Sequence, residues 1–399
     1  MFEIKGKFNT ALCYATVVED EAIEQIKRMC DYEFTEGSRI RIMPDVHAGK
    51  GCTIGTTMTI KDKAVPNIVG VDIGCGMYTV NLGRVDIDFE RLDAAAHFIP
   101  SGMDVWESRQ ESFDLQGLIC YRELNDTKRL ERSLGTLGGG NHFIEVDEAA
   151  EGTKYLIIHS GSRNLGKQVA EHYQDIAIDL SKGKEEYFKQ RDEIIRTYKE
   201  QGRKSEIQAA LKALSWERKE PLMPEDLCFL YGKYLEDYLH DVEICQHFAR
   251  RNREKMAEIL LEHTGILAGE AFHTIHNYID IKEMILRKGA IAAHKGVKVL
   301  IPINMRDGSV LAVGKGNPDW NYSAPHGAGR IMSRSAAKDT LSLDEYIKAM
   351  EGVYTTSVNE ETLDEAPMAY KSLEDIIDVI KESVDVIEVM KPIYNFKAN

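Results

Sequence analysis

No two cysteines of this chain stand in a C-x-x-C spacing, and the seven present (Cys13, Cys30, Cys52, Cys75, Cys120, Cys228 and Cys245) are odd in number and scattered. That pattern argues against a zinc ribbon and a disulfide framework, and most of them read as buried thiols. No uninterrupted apolar run of about eighteen residues occurs. The first residues, MFEIKGKFNTALCYATVVEDEAI, also lack the basic-then-apolar order of a signal peptide. The chain therefore reads as cytoplasmic, with no membrane partner. Positive charge is scarce too: 50 Lys and Arg face 65 Asp and Glu, a formal net charge of −15. Such a surface repels a polyanion over most of its area, which argues against a general nucleic-acid coater; a nucleic-acid partner has to meet a local basic patch or metal ions. No internal repeat or low-complexity linker divides the 399 residues, so one discontinuous domain over 1–399 is expected, as a monomer or weak oligomer.

What is present falls into three stretches. From Phe8 to Tyr155, short apolar and β-branched runs (RIRIMPDVH, CTIGTTMTI, IVGVDIG, MYTVNLG) alternate with glycine-rich turns and predict sheet with functional loops. TKYLIIHSGSRNLGKQVAEHYQDIAIDL predicts a strand, a glycine-bearing loop and a helix. From 182 to 262 the composition becomes charged and helical, broken by PLMP, which predicts a helical insertion. VKVLIPINM and SVLAVGKGN then resume the strand pattern, and the end from Leu341 predicts amphipathic helix before KPIYNFKAN. The fold class expected is α+β, with mixed sheets and flanking helices.

Six polar groups sit in glycine-rich or apolar contexts where a solvated residue is unusual: Asp45 and His47 in MPDVHAGKG, Asp72 and Cys75 in VDIGCG, Asn141, His142 and Glu145 in GGGNHFIE, His159 and Arg163 in IIHSGSR, His273, His276 and Asn277 in HTIHN, His326 and Arg330 in APHGAGR. Taken singly, Asp72 reads as a turn carboxylate, Cys75 as a buried thiol and His159 as a core histidine. Packing of carboxylate and thiol into VDIGCG reverses that preference, and glycines beside these residues let the backbone approach a ligand closely. Asp, Cys and several His form the donor set of a transition-metal centre, and more of them are present than one ion needs. Two ions sharing the thiolate suit phosphoryl transfer. His273 and His276, three apart, are expected on a helix facing one site, whereas His47 stays open. GSRNLGKQ matches the G-x-x-x-x-G-K part of a P-loop but has Gln168 where the magnesium-binding hydroxyl belongs. A phosphate at the following helix start, with Arg163, remains the expectation there.

MPDVHAGKG, GVDIGCG, GGGNHFIE, HSGSRNLG, HN, VGKGN and SAPHGAGR, in that order across Met43 to Arg330, resemble the RtcB family of RNA ligases, and the likeness continues through APMAYKSLEDI to NFKAN. The resemblance implies joining of an RNA 3′-phosphate or 2′,3′-cyclic phosphate end to a 5′-hydroxyl end, with GTP and two manganese ions as cofactors. It implies Asp72, Cys75, His142, His159 and His276 as metal ligands, Cys75 bridging, with Asp72 and His276 on one ion and His142 and His159 on the other. His326 is implied as the nucleophile that carries GMP. Asn141, Glu145, Asn277, Ser309, Gly327, Gly329, Tyr370 and Lys397 fall where the family holds the nucleotide, Glu145 being suited to the N1 and N2 donors of guanine. Asp45 and Arg163 match positions near the site, implied to support RNA or phosphate binding. Where many members have a glycine-serine-methionine stretch, this chain reads INMRDGSVLAVGKGN, resembling a bacterial subgroup associated with RNA repair rather than tRNA splicing. Arg163, Lys167, Arg330, Arg334 and Lys338 are the basic residues near the motifs that an RNA strand could meet.

Two rivals use the same residues. A dinuclear phosphoesterase needs the metal ligands but neither GTP nor a covalent nucleotide. A non-catalytic RNA-binding subunit keeps the metal for folding and has no use for His326.

Overall fold

A computed structural model of the chain describes residues 1–49, 51–214 and 219–397. Lys50 of MPDVHAGKG and the last two residues of NFKAN lie outside the described residues. The architecture is α+β, built on two large sheets. The first has six strands in the order Phe2–Lys5, Thr10–Cys13, Ile40–His47, Ile54–Thr59, Ile285–Lys288 and Asn277–Asp280. The second has seven, in the order Ala271–Ile275, Gly76–Gly83, Lys154–Ser160, Phe143–Glu148, Val384–Lys397, Gly308–Gly314 and Lys298–Asn304. Its two outer strands touch, Leu300 N–H donating to Thr274 Oγ1 at 3.1 Å, so this sheet curls around an apolar interior of Met77, Phe143, Ile157, Leu300, Leu311 and Met390. Alternation along Phe143–Glu148 explains the two faces: Phe143 points inward, while Ile144 and Val146 join the outer core with Leu156 and Ile158.

Helices cover the outer faces. Gly232–Thr264, at 33 residues, spans about 50 Å. Cys245, Phe248 and Ala249 on one stretch, and Met256, Ala257 and Leu260 on the next, are buried. It stops at Gly265, whose φ of +74° lets the chain leave in the left-handed cap that a Cβ disfavours. Phe89–Phe98 packs beside it and is started by the Asp88 carboxylate, which accepts from Arg91 N–H at 3.1 Å. Within 182–262, helices run over Glu185–Glu200, Ile207–Ala213 and Gly232–Thr264. Among the described residues no helix is long and apolar enough to cross a membrane.

Three local expectations change. IVGVD is no strand end: Pro66–Val69 forms one helical turn with Pro66 at its start, and Gly70, at φ +95°, turns the chain into the loop that carries Asp72 and Cys75. HTIHN is not helical; Ala271–Ile275 is a strand paired with Gly76–Val80, so His273 and His276 fall on opposite faces. KPIYNFKAN is no tail after a helix. The helix Leu373–Ile380 is followed by the 14-residue strand Val384–Lys397, which runs between Phe143–Glu148 and Gly308–Gly314. Long-range pairing, which no local pattern reports, decides that segment.

Candidate active site

Asp72 and Cys75 enter the site from the loop preceding Gly76–Gly83, His142 from the residue before Phe143–Glu148, His159 from the end of Lys154–Ser160, and His276 from between Ala271–Ile275 and Asn277–Asp280. Main-chain bonds fix the approach: His276 N–H donates to Cys75 O at 2.9 Å and Gly74 N–H to Asn277 O at 2.6 Å. His142 Nδ1–H donates to Leu137 O at 2.8 Å and His159 Nδ1–H to Asn141 O at 2.9 Å. A carbonyl partner requires the proton on Nδ1, so both Nε2 atoms present lone pairs. Those lone pairs face other acceptors: His142 Nε2 is 3.0 Å from Asp72 Oδ2 and 3.5 Å from Cys75 Sγ. His159 Nε2 is 3.3 Å from Cys75 Sγ and 3.3 Å from His276 Nε2. With no proton on its Nε2, His142 meets the Asp72 carboxylate acceptor to acceptor, which is repulsive in a buried site, and a cation between them removes the conflict.

Electrostatics agree with that reading. Burial, then the neighbouring imidazoles, push His159 and His276 well below the usual histidine range, which keeps them neutral. Burial raises the Asp72 carboxyl, but positive charge placed at His142, where a bound cation would supply it instead, outweighs burial and holds Asp72 below its ordinary value. Burial and the Asp72 carboxylate push the Cys75 thiol well up; an adjacent cation reverses this and yields the thiolate. The ligand atoms of Asp72, Cys75 and His142 lie within 4.8 Å of one another, as do those of Cys75, His159 and His276. The donors therefore fit two divalent ions with Cys75 common to both. His142 stands beside Asp72 and His159 beside His276, while Cys75 Sγ touches both His142 and His159, the two histidines that the resemblance puts on one ion.

Gly161 is required by this packing, because a Cβ there would collide with the Asp72 carboxylate. Ser162 N–H donates to Asp72 Oδ1 at 3.1 Å, so the amide a phosphate would need at the start of helix Arg163–Ser181 is already taken. Arg163 gives Nε to Thr136 Oγ1 at 3.0 Å and Nη2 to Gly102 O at 2.7 Å. Behind the cluster, buried Asn252 and Arg253 bind the segments that carry the ligands. Asn252 Oδ1 accepts from Gly135 N–H and Thr136 N–H, its amide donates to Gly161 O, and Arg253 Nη1 donates to Gly74 O and Ser160 O at 2.7 Å each. His273 faces away and bonds Glu254 at 3.1 Å.

His326 follows the strand Ser323–Pro325, its ring centre 5.0 Å from that of His276. Asp45, fully buried, accepts from His326 Nδ1–H at 2.8 Å and from His326 N–H at 3.1 Å through the same oxygen. That bond leaves Nε2 with the lone pair. Asp45 thus orients a histidine of the cavity wall. A cavity of about 210 Å³ opens beside His326 and is walled by Gly327, Gly329, Asn141, Glu145, Tyr370 and Lys397, and also by His47, Pro302 and, from the INMRDGS stretch, Ile303, Asn304 and Met305. Asn277 and Ser309 stand outside its walls. Asn277 Oδ1 accepts from Gly289 N–H at 3.0 Å, and Ser309 is buried beside Asp147.

Glu365, one residue before APMAYKSLEDI and not singled out by any spacing, is the hub of the far wall. Its carboxylate accepts from Lys397 Nζ at 2.6 Å and Tyr370 O–H at 2.7 Å, and pairs with Arg334 at 2.7 Å. Burial raises Glu365, yet Lys397 and Arg334 bring it down to about 2. Arg334 and Lys338 also pair with Asp364, at 2.5 and 3.5 Å, and Arg330 with Glu365 at 3.5 Å, so a phosphate meeting these cations competes with carboxylates. The only advance signal was an acidic residue held inside an apolar context, DEAPMAY.

Comparison with known proteins agrees with this arrangement. The family model described as tRNA-splicing ligase RtcB matches residues 25–116 and 121–398. An RNA-splicing ligase RtcB1 of Escherichia coli is 30% identical, with 94% of each chain covered. The RNA-splicing ligase RtcB of Escherichia coli K12 is 29% identical over 94% of each chain, and a tRNA-splicing ligase RtcB of Aeropyrum pernix is 27% identical over 85% of this chain and 83% of its own. With the family model spanning nearly the whole chain and the motif residues gathered around one cavity, this protein belongs to the RtcB family.

Proposed function

We propose that the protein is a GTP- and manganese-dependent RNA ligase that joins RNA 3′-phosphate or 2′,3′-cyclic phosphate ends to 5′-hydroxyl ends, in RNA repair or tRNA splicing. The observation that carries this reading is His326: a histidine whose Nδ1 proton is committed to Asp45, on the wall of a cavity and next to His276 of the donor cluster. Asp72, Cys75, His142, His159 and His276 would hold two manganese ions, which when bound supply positive charge for the phosphate oxygens. His326 Nε2 attacks the α-phosphorus of GTP, the bond to the β-phosphate oxygen breaks and pyrophosphate leaves. Asp45 keeps the Nδ1 proton and balances the charge of the phosphorylated ring. An oxygen of the RNA 3′-phosphate then takes GMP from Nε2, and the 5′-hydroxyl displaces GMP to close the strand. A cyclic phosphate is first opened by water. Asn141, Glu145, Tyr370 and Lys397 would bind and orient the nucleotide, with Glu145 turned to guanine.

Incubation with α-labelled GTP and Mn²⁺, followed by denaturing separation, tests the proposal. An adduct that is acid-labile, alkali-stable and absent from His326→Ala supports it. Turnover of a cyclic phosphate by metal-loaded protein, with no adduct and no need for GTP, would identify a phosphoesterase instead.

A further inference from the structure

The interior of the seven-stranded sheet contains a carboxylate that no mechanism above uses. Asp147 stands two residues beyond Glu145 on the strand Phe143–Glu148, so both side chains leave the same face, the one lined by Phe143, Ile157 and Met390. Glu145 reaches the cavity wall and accepts from Asn395 Nδ2 at 2.5 Å. Asp147 lies one step deeper and is 0% exposed. Neither of its oxygens has a hydrogen-bond donor, and the neighbouring Ser309 Oγ and Asn395 Oδ1 are likewise unpartnered.

The charged groups around this pair are few. Lys397, on the adjacent strand, faces Glu145 and is itself bonded to Glu365. The charged group facing Asp147 is Glu145. Two adjacent carboxylates in an apolar interior cannot both stay ionised, and one proton placed between them supplies the donor that Asp147 lacks.

We infer that Asp147 is a neutral carboxylic acid that donates a hydrogen bond to Glu145, keeping the Glu145 carboxylate charged and turned toward the cavity, where it selects guanine over adenine. The inference rests on the proposed use of GTP. Glu145 has an amide donor and a lysine charge to stabilise its ionised form, and Asp147 has neither. Burial accordingly drives Asp147 well above its ordinary value, while Glu145, also raised by burial, reaches only about 7. Ser309 gains a role as well: its hydroxyl can turn its proton to the carbonyl oxygen of the acid. Guanine offers two N–H donors to an ionised carboxylate, whereas adenine offers an acceptor at N1 and gains nothing.

Infrared spectra of wild type and Asp147→Asn, taken at about pH 8 where ordinary carboxyl groups are ionised, test the proton's position. The carbonyl stretch of a protonated acid is expected in the wild type and lost in the variant; its persistence in the variant overturns the assignment. The ratio of GTP to ATP in adduct formation tests the consequence. Asp147→Asn, whose amide still donates, should keep that ratio within about threefold, and Asp147→Leu should lower it by about tenfold or more, about 1.4 kcal/mol. An unchanged ratio in folded Asp147→Leu overturns the specificity role. If Asp147→Leu does not fold, the spectrum and ratio of Asp147→Asn still decide. A wild type that forms no nucleotide adduct removes the guanine role, while the infrared band continues to place the proton.

Discussion

In the proposed reaction, His326 depends on what holds its other nitrogen. With Asp45 accepting from Nδ1–H at 2.8 Å, the ring cannot turn its lone pair away from the cavity. Asp45→Asn would offer an amide proton to the same nitrogen and favour the opposite tautomer. Adduct formation is expected to fall about a hundredfold or more, with GTP binding retained, as single-turnover labelling and equilibrium binding will separate. Glu365 makes a second residue-scale prediction. Its carboxyl is lowered from 4.5 to about 2 in the folded chain, so its ionised form stabilises the fold at pH above the unfolded value. That contribution, on the order of 3 kcal/mol, is fully present above about pH 4.5 and disappears as pH falls through about 2. Glu365→Gln should therefore unfold more easily than wild type near neutrality and match it at the acid end; parallel curves at every pH would deny Glu365 this role.

At the scale of elements, the site depends on a helix that lies behind the metal-ligand cluster. Asn252 and Arg253, in the middle of Gly232–Thr264, hold the segments around Gly74, Thr136 and Gly161 from behind. Asn252→Ala leaves buried amide and carbonyl groups without partners, a cost of about 2–4 kcal/mol by denaturant unfolding. Gly161→Ala acts more locally, forcing the Asp72 carboxylate aside. A drop of about tenfold or more in Mn²⁺ affinity, with the far-ultraviolet spectrum unchanged, is the expected result.

The legibility of these elements divides along the same line. VDIGCG, GGGNHFIE, IIHSGSR and APHGAGR carry their functional residues beside glycines in short apolar contexts, and the structure brings Asp72, Cys75, His142, His159, His276 and His326 together. The strands RIRIMPDVH, CTIGTTMTI and YLIIH showed in their β-branched runs. What stayed hidden depends on partners distant in the chain. Glu365 is defined by Lys397 and Arg334, Asp147 by Glu145 and by the strand that carries Asn395, and HTIHN became strand because Gly76–Val80 lies beside it.

At the scale of the molecule, the net charge of −15 and the pairing of Arg330, Arg334 and Lys338 with acidic residues weaken the attraction of this face for an RNA backbone. Binding of single-stranded RNA should show a shallow salt dependence, log K against log salt falling with a slope of magnitude below about 3, or about four phosphates. A steeper slope in a filter-binding titration would require a basic surface elsewhere.

The strand Val384–Lys397 adds a temporal consequence. It fills the middle of its sheet, and Lys397 pairs in register with Phe143, so the wall of the cavity is closed by residues made after every donor of the metal cluster. A nascent chain halted short of that strand already carries every donor of the metal cluster and His326, yet lacks Asn395 and Lys397. Until that strand is made and paired, the chain holds the donor side chains without the wall that Asn395 and Lys397 supply, so the cavity takes shape late.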